Sequence, residues 1–222
     1  MMIKAKPLPF ALIRWGITLP MWFFRRRFNK MAINPIDIKP DHSYVLMCNH
    51  FGFLDGFFAY YVIFNLINKQ QPLRALYAMS VKKQMEKKPW LKYFGSFSVE
   101  PGRWSIKESI EYAAEVLNTP GNILLFFPQA ELESQHIRHI EFKDGIGEIV
   151  SRVKGNCQLI WCSTVLEYFE SLKPSATMSL LDCGTNSGFD FKEMKTKVNT
   201  HHLESMQKMV RFTDEPDHIS FK

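Results

Sequence analysis

Asn49-His50-Phe51-Gly52-Phe53-Leu54-Asp55-Gly56 stands between an apolar run, Tyr44-Val45-Leu46-Met47-Cys48, and an aromatic one, Phe57-Phe58-Ala59-Tyr60-Tyr61-Val62. The first run reads as a buried strand, and the second as a helix starting near Leu54. Gly52 lies in the turn between them, where it can take a backbone conformation that other residues resist. In a continuous helix the five-residue offset would point His50 and Asp55 about 140° apart. In a turn the two side chains can meet.

Such a pair suits proton removal from a hydroxyl. A neutral imidazole is a good general base because its ordinary pKa lies near working pH. A carboxylate on its other nitrogen fixes the tautomer and steadies the imidazolium that forms. No serine or cysteine stands beside the pair as a nucleophile. That favours direct transfer, in which the base activates a substrate alcohol. The plain alternative is a His and an Asp that only cap a helix.

Outward from this turn, strands and helices alternate. Residues 31–43, with Pro35 and Pro40, read as a linker. Strands are expected at Leu73–Met79, Gly95–Val99, Ile123–Phe127, Gln158–Val165 and Met178–Cys183. Helices are expected at Trp104–Leu117 and Phe142–Val153, and after the Asp190/Glu193 capping pair. Met194, Val198, His202, Met206 and Met209 then form a stripe at helical spacing, read as core. The alternation implies a single α/β domain with a mixed sheet flanked by helices, over residues 33–222.

Four blocks in order carry a family likeness. Asn49-His50 with Asp55 resembles the first block of the glycerolipid (lysophospholipid) acyltransferases, the 1-acylglycerol-3-phosphate acyltransferase type with its His-x4-Asp motif. Pro89-Trp90-Leu91 and Gly95-Ser96-Phe97-Ser98-Val99 resemble the second block. Phe126-Phe127-Pro128-Gln129-Ala130-Glu131 is similar to the third, usually written Phe-Pro-Glu-Gly-Thr-Arg, and Phe142-Lys143-Asp144-Gly145 to the Phe-Lys-x-Gly that follows it. The likeness covers roughly residues 40 to 165. It implies one α/β domain with its N-terminal helices at the membrane. It also implies His50 and Asp55 as catalytic residues, with Asn49, Gly95, Arg103, Pro128, Gln129 and Glu131 around the substrate. Backbone N–H groups near Gly95 or Ala130 are candidate donors to a developing oxyanion. Phe53, Leu54, Phe57 and Phe58 are the nearest candidates for an acyl slot.

The pattern also departs from the family's. The second block usually ends in an arginine that contacts the acceptor's phosphate, and that position is Pro101, with Arg103 two residues on. In the third block the glutamate, glycine, threonine and arginine become Gln129, Ala130, Glu131 and Leu132. A phosphomonoester is best held by bidentate arginines. The expected acceptor is therefore a single-chain lipid with a hydroxyl but no terminal phosphate, such as an N-acylglycine or N-acylornithine lipid. Two alternatives stay open: a catalytically idle lipid-binding protein, and a true 1-acylglycerol-3-phosphate acyltransferase with a variant phosphate site using Arg103, Lys143 or Arg138.

Charge and composition bound the partners. Residues 1–30 carry seven cations and no acid, against +6 for the whole chain, which leaves residues 31–222 at −1. Nucleic-acid binding is excluded by that distribution. The same cations flank Phe10, Trp15, Trp22, Phe23 and Phe24, so residues 1–32 read as a membrane-interfacial segment. Arg14 sits mid-stretch, and Pro9 and Pro20 are expected to interrupt helix formation, which argues against a span. The location expected is peripheral or monotopic, on the cytoplasmic face of a membrane, a bacterial inner membrane by the lean layout. The lysines of Val81–Lys92 read as a solvated face, or as a docking site for a carrier protein or a coenzyme A phosphate. No cofactor is expected beyond the co-substrate, acyl-CoA or acyl-ACP. No metal is expected either, since His136-Ile137-Arg138-His139 lacks further ligands.

Overall fold

Seven strands form one sheet in the order β1-β7-β6-β2-β5-β3-β4. The strands are β1 (Met31–Asn34), β2 (Ser43–Cys48), β3 (Ala75–Val81), β4 (Ser96–Val99), β5 (Asn122–Phe126), β6 (Cys157–Glu167) and β7 (Ser175–Thr185). Only β6 and β7 pair antiparallel, so the sheet is mixed and the fold is a single α/β domain, as expected. The computed structural model describes residues 2–100, 105–169 and 171–209.

The central strands are apolar throughout because both faces are covered. Along β2, Val45 and Met47 face one core while Tyr44, Leu46 and Cys48 face the other. Strand β5 repeats this with Leu124 and Phe126 against Ile123 and Leu125. The first face is covered by α5 (Ser105–Leu117), α6 (Gly145–Val150) and α7 (Phe191–Gln207). The second is covered by α1 (Phe10–Arg25) and by α2 (Asp55–Val62), which continues through a π-helical turn (Ile63–Ile67) into α3 (Asn68–Gln70). The short basic helix α4 (Lys82–Lys87) follows β3 directly.

Several sequence expectations need correction. Residues 31–34 are an edge strand paired to β7, not linker; Pro35 ends it. Pro20 does not interrupt α1 but lies inside it. The hydrogen bond it cannot donate would go to Gly16, which is exposed, so that carbonyl is left to solvent. Helix α6 starts at Gly145 rather than Phe142, with Asp144 at its N-cap and the Lys143 N–H bonded outside the helix to the Pro128 carbonyl at 2.9 Å. The pair at the start of α7 does cap it: Asp190 Oδ1 accepts from the Glu193 N–H at 2.8 Å.

Helix α1 has two faces. Phe10, Ile13 and Phe24 are buried, with Phe24 stacked on Phe57 at 4.9 Å between ring centroids. Leu12, Trp15, Leu19, Trp22 and Phe23 are exposed. Among the described residues no helix is long and apolar enough to cross a membrane.

Candidate active site

Strands β2 and β5 are parallel neighbours in register, Met47 opposite Phe126. The loops that leave their carboxyl ends therefore start side by side, at the edge where α/β sheets bind ligands. One loop carries Asn49 to Asp55, the other Phe127 to Glu133.

Asp55 is the first residue of α2 and is 3% exposed. One of its carboxylate oxygens, Oδ2, accepts three hydrogen bonds: from His50 Nδ1 at 2.8 Å, the Phe51 N–H at 2.7 Å and the Gly52 N–H at 2.8 Å. The other, Oδ1, is buried with no partner among the described residues. Since an ionised carboxylate can only accept, the proton of a neutral His50 sits on Nδ1. Nε2 then carries a lone pair and has no partner among the described residues. The ring is 26% exposed and packs on Phe127 with centroids 4.4 Å apart. The imidazole thus has one nitrogen held by Asp55 and the other open among the described residues.

The main chain of His50 is held as firmly as its ring. Its N–H donates to Gln129 Oε1 at 2.7 Å, and its carbonyl accepts from the Glu133 N–H at 2.9 Å. The Gln129 Nε2 donates in turn to the Glu133 carboxylate. Glu133 has no counterpart among the residues singled out from the sequence. Its only signal there is an acid four residues after Gln129.

The other residues singled out from the sequence divide. Pro128 is buried at the end of β5, and its carbonyl ties the loop to Lys143. Gln129 is 2% exposed and faces inward to the His50 backbone, not outward to a substrate. Glu131 is on the surface, 3.4 Å from Lys143 Nζ, in an ion pair open to solvent on both sides. Asn49 is committed elsewhere: its amide donates to the Thr164 carbonyl at 2.9 Å and accepts from the Thr164 N–H at 2.8 Å, locking the loop to β6. Gly95 lies at the start of β4, two strands beyond β5, with φ +83°; a Cβ there would stand 1.8 Å from the Leu76 carbonyl oxygen. Arg103 lies outside the described residues.

Of the backbone N–H groups near Gly95 and Ala130, those of the two residues themselves are engaged. Gly95 N–H donates to Lys92 O at 3.2 Å and Ala130 N–H to Phe127 O at 3.2 Å, each closing a turn. Ala130 itself has φ +61°, a left-handed conformation that costs a non-glycine residue roughly 1–2 kcal/mol. That is a physical reason for the glycine usual at this position.

Of the candidate acyl-slot residues, Phe53 is 78% and Leu54 39% exposed beside the imidazole, whereas Phe58 is buried in the core under α1. Lys88 Nζ lies 5.6 Å from the Phe53 ring centroid, which brings the basic segment up to the histidine loop. Lys82 is paired with Glu100 at 3.1 Å. His139 pairs with Glu141 at the surface, and no group of three or more His, Cys, Asp or Glu among the described residues is arranged to hold a metal.

The sequence model of one family, described as Acyltransferase, matches residues 32–163, from β1 through the end of the site into β6. A search of curated proteins finds no match. Among solved structures, the crystal structure of the 1-acyl-sn-glycerophosphate (LPA) acyltransferase PlsC from Thermotoga maritima is similar, with a TM-score of 0.54. The alignment covers 90% of this chain and 83% of that one at 12% identity, a likeness of fold.

Proposed function

The chain belongs to the acyltransferase family, and from that premise we propose that it is a lipid acyltransferase, moving a fatty acyl group from an acyl thioester to the hydroxyl of a single-chain lipid, with His50 as general base and Asp55 as its partner. His50 Nε2 takes the hydroxyl proton as the acceptor oxygen attacks the thioester carbonyl. The tetrahedral intermediate collapses with loss of the C–S bond, and the imidazolium returns the proton to the leaving thiolate. The products are an ester and a free thiol. Asp55 keeps the imidazole in the tautomer this requires and stabilises its charged form. The reading is carried by the His50 Nδ1–Asp55 contact at 2.8 Å together with the unengaged Nε2.

The donor in this proposal is acyl-CoA or acyl-ACP. Lys88, over Phe53 of the histidine loop, and Lys83 and Lys87 of the same basic segment supply the attraction for either carrier's anionic groups. The acceptor in this proposal bears no terminal phosphate. The positions where the family carries phosphate-contacting arginines hold Pro101 and Leu132, and Leu132 is exposed. An N-acylated amino acid with a free hydroxyl suits a mouth bearing Glu131 and Lys143 as a zwitterionic pair. The protein would work while docked peripherally on a membrane through Leu12, Trp15, Leu19, Trp22 and Phe23, with the arginines of Arg25-Arg26-Arg27 toward anionic headgroups.

The test is thioester consumption by purified protein on lipid vesicles, with acyl-CoA and acyl-ACP as donors. Acceptors are lysophosphatidic acid, N-acylornithine and hydroxylated N-acylglycine lipids. Transfer to the phosphate-free acceptors is expected. Turnover of lysophosphatidic acid alone overturns the acceptor class, and binding of acyl lipids without transfer from either donor overturns the activity.

A further inference from the structure

We propose that Gln129 and Glu133 are a coupled pair of positioning residues that set the direction of the His50 base, the second acid of the site having moved four residues along its loop. The proposal rests on His50 being the base. It concerns residues that hold that base, and neither of them touches the reacting atoms.

The hydrogen bonds form a closed ring. His50 N–H donates to Gln129 Oε1 at 2.7 Å, Gln129 Nε2 donates to the Glu133 carboxylate, and the Glu133 N–H donates back to the His50 carbonyl at 2.9 Å. Both peptide groups flanking the His50 Cα are thereby tied to the neighbouring loop. Asp55 ties the ring at Nδ1, and Phe127 lies along its face. Gln129 is 2% exposed, so neither of its amide atoms is left for a ligand. A hydrogen bond to a charged acceptor is roughly twice as strong as a neutral one, and donation to a carboxylate polarises the amide so that its oxygen accepts better.

The exchange of residue types follows from the same contact. In the family pattern a glutamate stands at position 129. Here that glutamate would face the Glu133 carboxylate at hydrogen-bond distance with no proton between them, and two carboxylates so close cannot both ionise. Gln129 is therefore the complement of Glu133 and not a decayed remnant of a catalytic acid. The reversed pair, glutamate at 129 and glutamine at 133, could make every bond of the ring: the carboxylate would accept from both the His50 N–H and the amide at 133.

That reversal is the experiment. Gln129→Glu, Glu133→Gln and the double variant are compared by thiol release with acceptor varied, by thermal midpoint, and by hydrogen exchange at the His50 amide. Displacing a catalytic group by about 1 Å can cost on the order of 100-fold. The expected loss in kcat is therefore about 100-fold for Gln129→Glu and about tenfold for Glu133→Gln, with acceptor KM unchanged. The double variant is expected to return to within about fivefold of wild type. His50 amide exchange should speed up in each single variant and slow again in the double. A double variant whose loss is the product of the two singles overturns the coupling. A change in acceptor KM with kcat preserved makes Gln129 a binding residue instead. Should Gln129→Glu fail to fold, wild-type exchange and kcat in Glu133→Gln would by themselves overturn the proposal. A wild-type protein that transfers nothing overturns the proposed function, while the exchange data still decide the ring.

Discussion

Replacing Asp55 by Asn isolates the charge of the pair from its geometry. The asparagine carbonyl can occupy the place of Oδ2 and still accept from His50 Nδ1, Phe51 N and Gly52 N. Its NH2 then falls where Oδ1 now sits, a buried position with no partner among the described residues. An unsatisfied buried donor costs about 1–3 kcal/mol of stability. The catalytic loss is larger and separate. Once His50 takes the proton, imidazolium and carboxylate are unit charges with centres roughly 4 Å apart, worth about 4 kcal/mol at an effective dielectric constant near 20. Losing that attraction only in the charged state raises the barrier by a similar amount, about 10³-fold in rate. The assay is single-turnover thiol release from the acyl thioester at saturating acceptor, with a thermal scan of the same sample. Asp55→Ala should fall further, because the Phe51 and Gly52 amides lose their acceptor as well. A fully folded Asp55→Asn enzyme within tenfold of the wild-type rate would refute the reasoning, since no imidazolium would then need the acid.

Three further outcomes are expected of the protein. His202 is buried with both ring nitrogens engaged, Nε2 with the Ile137 carbonyl at 3.0 Å and Nδ1 with Ser163 Oγ at 3.0 Å, and burial lowers its pKa below the ordinary 6.5. As pH falls through about 6.5 the unfolded chain takes up this proton first, so stability present above that pH is lost below it; the urea midpoint should drop between pH 7.5 and 5.5, and less so in His202→Asn. Gly95→Ala forces a Cβ to 1.8 Å from the Leu76 carbonyl at φ +83°. The clash is with backbone, so a loss above about 4 kcal/mol is expected, read as failure to accumulate soluble folded protein. Trp15, Trp22 and Phe23 are 81%, 49% and 58% exposed; replacing all three by Ala should weaken sedimentation with anionic vesicles by at least about tenfold, or 1.4 kcal/mol, and leave the thermal midpoint unchanged.

The first block was legible because it is local. Six residues of β2 are buried on both faces and read as one apolar run, and the turn that joins His50 to Asp55 is closed within eight residues. Strands β4 and β5 fall within a residue or two of their expected bounds for the same reason. What the sequence hid depends on distant partners. Strand β1 is four residues long and becomes a strand only because Met31–Asn34 meets Ala176–Ser179. Strands β6 and β7 extend past their apolar stretches because each supplies the other's hydrogen bonds, from Gln158–Thr185 to Glu167–Ser175. Residue types at the third block were plain, but not their directions. Gln129 and Glu131 are two positions apart, yet one turns inward to the histidine and the other outward to Lys143. Asn49, adjacent to the base, faces away from it into β6.

The charges around His50 bear on the proposed choice of acceptor. Asp55 accepts from the His50 ring, Glu133 bonds the His50 carbonyl through its backbone N–H and carries its carboxylate on Gln129, and Glu131 lies on the same loop paired with Lys143. Against these three acids the described residues bring two cations to the two loops, Lys143 on Glu131 and Lys88 over Phe53. With a neutral imidazole the cluster carries one surplus negative charge. A phosphomonoester would add nearly two more, in a site partly shielded from water, where each like charge raises the cost of the next. An N-acylornithine headgroup adds a carboxylate and an ammonium that cancel, so a hydroxylated acceptor of that kind adds no net charge while, on the proposed reading, its hydroxyl meets Nε2. On the proposed mechanism the surplus disappears once His50 takes the acceptor's proton, with Asp55 as the partner of the imidazolium so formed. On the proposed reading Glu131→Gln should improve an anionic acceptor's KM and worsen that of a zwitterionic one, while Glu133 keeps to positioning His50; an unchanged KM for both acceptors would refute the charge argument.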